Sequence, residues 1–166
     1  MTDAAPTPEI PRLYAYRGGR AVAPPTARAF ALLVAGGCLA VLLTAVRLPP
    51  NPAGYGSHRG IGLPSCAWME RGVPCPACGM TTSFSWFVRG NLPASIYVQP
   101  MGAALAAAAA ACVWGGLYVG LTGRPVYRLV HLLPARAWLV GLLGFGLAAW
   151  GWKVFAHLHG IDGWST

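Results

Sequence analysis

Three apolar runs divide the chain: Ala27 to Val46, Met101 to about Leu121, and Ala137 to about Phe155. Each is close to the roughly 20 residues that a helix needs to cross a hydrocarbon core. Arg47 followed by Pro49 and Pro50 ends the first, because proline cannot continue the helical hydrogen-bond ladder. Thr122-Gly123-Arg124-Pro125 ends the second, and Lys153, His157 and His159 end the third. Between the first two runs lies a Gly- and Pro-rich loop, residues 49–100, with two shorter helical signals. Thr81 to Val88 is apolar and aromatic but too short to span. Asn91 caps a helix from Leu92, with Pro93 in its permitted first turn and a bend at Pro100. A third short interfacial helix is expected at 126–133. Residues 1–25, with five prolines and Gly18-Gly19, read as a disordered basic tail. The pattern therefore predicts an all-α membrane protein. It has a tail (1–25) and a single membrane domain (26–166), with three transmembrane helices at about 27–46, 101–121 and 137–155, short interfacial helices, and a cysteine-containing loop.

Composition supports the bilayer as solvent. Of 166 residues, 55% are hydrophobic and 10% charged, and mean hydropathy is +0.51. A formal charge of +8 would suggest nucleic acid in a soluble protein. Here the arginines flank spans, where they set topology, and no basic stripe interleaved with aromatics forms a nucleic-acid groove. Seven tryptophans, many near the ends of apolar runs, suit an interfacial belt. Seven Lys/Arg fall on the side of the N-terminal segment and second connection, against five on the side of the long loop and C-terminus. The excess predicts a cytoplasmic N-terminus and an extracytoplasmic, disulfide-permissive cysteine loop in the cell membrane. The alanine-rich face from Ala103 to Ala111 places the second span at the centre of the bundle.

The candidate chemistry lies in that loop. Cys66, Cys75 and Cys78 have the spacing C-x8-C-x2-C, and the last two sit in the turn Cys75-Pro76-Ala77-Cys78-Gly79. Two residues between cysteines let both sulfurs face one side of a tight turn. Pro76 stiffens it, and Gly79 permits a positive φ. Three readings follow. The cysteines tie down the loop as a disulfide or by packing. Alternatively, Cys66, Cys75 and Cys78, with His58 as the fourth candidate, hold a metal such as zinc in a knuckle. Or Cys75 and Cys78 exchange between thiol and disulfide, the helix beginning near Thr81 lowering the Cys78 pKa through its dipole. Cys38 and Cys112 fall inside spans and read as packing. His157 and His159 read as an interfacial pair. With only four acidic residues, no hydrolytic constellation is visible.

From Cys66 to Pro100 the chain resembles DUF2752, a bacterial family of small membrane proteins of unknown function. The resemblance rests on Cys66, Cys75, Pro76, Cys78, Gly79, Thr81, Gly90, Ala94 and Pro100. Thr82, Asn91 and Gln99 stand where that family usually has Arg, Asp and Asn. The resemblance implies architecture and location and brings no activity. The resulting expectation is a non-enzymatic accessory or assembly component that meets the bilayer and other membrane-protein subunits. The alternative is a membrane thiol–disulfide oxidoreductase using Cys75 and Cys78.

Overall fold

The apolar runs fold as helices that extend slightly beyond the expected spans, to flanking residues that stop them. In the computed structural model, which describes residues 15–17, 20–124 and 135–164, five α-helices follow a short hairpin. Helix α1 is Pro25–Arg47, α2 Met80–Val88, α3 Leu92–Val98, α4 Pro100–Thr122 and α5 Ala135–Leu158. Three of these, α1, α4 and α5 from Arg136, are long and apolar enough to cross a membrane. They coincide with the three expected spans. The residues expected to form an interfacial helix at 126–133 lie outside the described residues, as do 1–14 of the expected tail. Part of that tail, Ala15–Arg17 and Arg20–Val22, pairs instead as antiparallel strands β1 and β2, with Tyr16 opposite Ala21.

Helix α4 touches α1, α2, α3 and α5, as its small residues predict. Its closest approach to α1 uses Gly116 and Gly120, a G-x-x-x-G pair. A Cβ on Gly116 would lie 2.6 Å from the Ala31 carbonyl oxygen and 2.8 Å from the Ala35 Cβ. The two helices run antiparallel, and an arginine caps the C-terminus of each. At one end the Arg28 guanidinium donates to the Gly120 carbonyl at 2.7 and 2.9 Å and to that of Leu121 at 3.2 Å. Across the bundle, Arg89 donates to the Val46 carbonyl at 3.0 Å. Both satisfy carbonyls that a helix C-terminus leaves without partners.

Short helices α2 and α3 fold back against the start of α4, and their contact is polar. Ser83 Oγ lies 2.9 Å from the Ser95 carbonyl and 3.0 Å from Ser95 Oγ, while Ser95 Oγ donates to the Ser83 carbonyl at 2.9 Å. Gly102 lies against Ser83, where a Cβ would meet the serine side chain at 2.8 Å. Thr82, Ser83, Ser85, Ser95 and Gln99 are wholly buried. The large apolar side chains face outward instead, among them Phe30, Leu33, Trp114, Leu121, Val140 and Leu143. Polar groups inside and apolar groups outside is the order that lipid requires.

Candidate functional site

The loop from Leu48 to Gly79 is built from turns that its sequence specifies. Asn51 Oδ1 accepts from the Ala53 N–H at 2.9 Å, an Asx turn, and Gly54 follows at φ +76°. Ser57 begins a 3-10 turn, Ser57–Ile61, and its hydroxyl accepts from the Asn51 N–H at 3.0 Å and meets Thr82 Oγ1 at 2.9 Å. This fastens the loop to α2. A second 3-10 turn, Met69–Arg71, reverses the chain after Cys66. The Glu70 N–H donates to the Cys66 carbonyl at 3.2 Å.

The C-P-x-C-G turn closes with the Cys78 N–H donating to the Cys75 carbonyl at 2.9 Å. Gly79 takes φ +88° and leads into α2. A Cβ there would meet the Gly54 carbonyl at 2.8 Å, so this position needs glycine on two counts. Two distant side chains hold the turn. Gln99 Nε2 donates to the Pro76 carbonyl at 2.8 Å, and Trp150 Nε1, from α5, donates to the Pro74 carbonyl at 3.0 Å.

These constraints bring the sulfurs of Cys66, Cys75 and Cys78 within 4.8 Å of one another. All three are free thiols, and Cys75 Sγ lies 3.1 Å from Cys78 Sγ. Backbone donors point at the sulfurs: the Cys75 N–H donates to Cys78 Sγ at 3.3 Å. The Met69 N–H, followed by that of Trp68, does the same for Cys66 and lowers its pKa from 9.0 to about 7. Cys78 behaves oppositely. Burial, with a further push from Cys75, raises it to about 12. The thiol lies just before the start of α2, where the redox reading expects a lowered pKa, and burial raises it instead.

His58 stands beside this cluster rather than in it. Its Nε2 lies 3.1 Å from the Pro64 carbonyl, and its ring lines a cavity of about 20 Å³ together with Tyr55, Arg59, Cys66, Met69 and Cys78. Cys38 and Cys112 lie in α1 and α4 and neighbour each other. Among the supporting motif residues, Gly90 turns the chain at φ +78° between α2 and α3, and Pro100 opens α4. Thr81 lies in the first turn of α2 and accepts from Ser85 Oγ at 2.9 Å. A larger apolar cleft of about 350 Å³ lies between α1 and α2, lined by Val41, Leu48, Ile61, Met80 and Phe84 among others.

Sequence reasoning missed the charges next to the site. Lys153 does not end its span. It is 0% exposed inside α5. Its Nζ lies 2.9 Å from Asp162 Oδ1 and 3.2 Å from the Gly54 carbonyl, and 5.8 Å from the centre of the Tyr55 ring. The other oxygen of Asp162 contacts His157 Nδ1, and the His157 ring meets Tyr55 edge-on. His159 is exposed and bonds back to the Phe155 carbonyl at 2.9 Å, so the two histidines form no pair. The available signal was a lone lysine in an apolar run, which in a bilayer calls for a partner.

No curated protein and no solved structure matches the chain. Residues 71–113, which hold Cys75, Cys78, α2, α3 and the first half of α4 and begin just after Cys66, match the model of a family described as protein of unknown function (DUF2752).

Proposed function

We propose that this chain is a non-enzymatic accessory or assembly component of a membrane complex, in which Cys66, Cys75 and Cys78 form a structural site that holds the loop against the helices. The carrying observation is the convergence of three free sulfurs where the loop, α2 and α5 meet. A loop anchored so firmly offers a fixed surface to other membrane-protein subunits. The Lys/Arg excess supports a cytoplasmic N-terminus and an extracytoplasmic loop in the cell membrane.

The 3.1 Å approach of Cys75 and Cys78 favours a second reading, a membrane thiol–disulfide oxidoreductase. Serine variants of the two cysteines separate them. For a structural site, Cys75→Ser and Cys78→Ser lower the detergent unfolding midpoint, with a loss of about 2–5 kcal/mol if a disulfide is removed and a comparable one for a metal. Unchanged midpoints together with a trapped mixed disulfide on non-reducing gels would reject that reading in favour of the oxidoreductase.

A further inference from the structure

We propose that the structural site is a closed zinc site, with Cys66, Cys75 and Cys78 supplying three thiolates and His58 the fourth ligand. This deepens the structural-site reading and rests on it. A disulfide needs two sulfurs and would leave the third pressed against it, whereas a metal uses all three. The ligands are soft sulfur with no carboxylate in the cluster among the described residues, which suits zinc and excludes calcium and magnesium.

Backbone hydrogen-bond donors face the cluster, and the burial of Cys78 leaves its thiolate to be compensated by a bound cation. Backbone N–H groups from Cys75, Met69 and Trp68 point at two of the sulfurs. The cavity at about 20 Å³ has room for one ion and excludes an organic cofactor. His58 lies on its wall. With Nε2 donating its proton to the Pro64 carbonyl, Nδ1 keeps its lone pair. His58 stands outside the sulfur cluster, so ligation requires its ring to turn inward from the same cavity wall.

Charge also balances. Zinc displaces one proton from each of the three thiols to solvent, and the three thiolates with Zn2+ leave a single negative charge. Arg59 lines the same cavity, while the nearby Lys153 is already paired with Asp162. No electron transfer is involved.

The test uses the full chain purified in detergent. Elemental analysis is expected to find one zinc per chain, with all five cysteines titrating as thiols after denaturation in chelator. Exchange with Co2+ gives sulfur-to-cobalt charge-transfer absorption with the strong visible bands of a tetrahedral site. Cys66→Ser, Cys75→Ser and Cys78→Ser abolish or weaken it, while Cys38→Ser leaves it unchanged. His58→Ala, outside the sulfur cluster, keeps charge-transfer absorption but loses more than about tenfold in Zn2+ affinity. Absence of metal with two thiols missing from the count, or copper in place of zinc, would overturn the proposal. So would unchanged affinity in His58→Ala. Zinc binding in a protein that also turns over a thiol substrate would instead reject the accessory role and leave this site standing.

Discussion

At the scale of single residues, the three loop cysteines differ because their neighbours differ. Cys66 is half-buried beneath backbone donors, while Cys78 is buried at the start of α2. In reduced, metal-free protein, Cys66 is therefore expected to react first with a water-soluble maleimide, its rate rising through about pH 7. Cys78 stays unreactive until far more alkaline pH. Mass mapping of the labelled sites checks this, and Cys78 labelled first would contradict it. The sign for stability follows: a thiol held below its unfolded value of 9.0 stabilises the fold above that pH and loses the contribution as pH falls toward 7. Lys153 gives the sharper test. Lys153→Met leaves Asp162 buried without its cation, a loss of about 3–5 kcal/mol in detergent unfolding. Adding Asp162→Asn removes the orphaned charge and is expected to recover much of the loss. Asn91 and Gln99 each make a hydrogen bond that fixes the backbone around the site. Asn91 Oδ1 accepts from the Ala94 N–H at 3.1 Å and caps α3, and the Gln99 amide holds the Pro76 carbonyl.

Between elements, α1 and α4 meet through glycines, and two adjacent positions separate packing from propensity. Gly115 has nothing within 4 Å of a built Cβ, whereas a Cβ on Gly116 runs into the backbone of Ala31. Gly115→Ala is expected to be neutral or stabilising by up to about 1 kcal/mol through helix propensity. Gly116→Ala forces the helices apart at a cost of about 1–3 kcal/mol. Unfolding midpoints of the two variants check the contrast, and equal effects would refute it. The three spans were legible because apolar length is a local property of the chain. The Gly116–Gly120 contact is not legible in the same way, because a glycine pair carries meaning only once its partner helix is known. The α3 cap was legible for the opposite reason: Asn91 and Pro93 act on their own helix.

For the whole molecule, the proposed orientation predicts that a cysteine introduced at the exposed loop position Leu63 (Leu63→Cys) reacts in intact cells with an impermeant maleimide, while an N-terminal tag is reached only after lysis. The reverse result would place the cysteine loop in a reducing compartment. The short helices expected at the membrane interface carry their serine and threonine face inward against α4, so α2 and α3 serve as a platform for the cysteine turn. By itself the sequence determined the spans, the stops at proline and glycine, and the turn that sets Cys75 beside Cys78, since each depends on neighbours within a few residues. That Cys66 folds back over that turn is an expectation the sequence permits, through the loop's glycines and prolines, and that the packed structure realises. Only the tertiary structure decided that Lys153 is buried, that Asp162 returns after Gly160 to pair with it, and that Gln99 and Trp150 hold the turn. It likewise decided the upward pKa shift of Cys78, which comes from burial. Those outcomes depend on desolvation and on partners remote in the chain, and neither exists until the helices have packed.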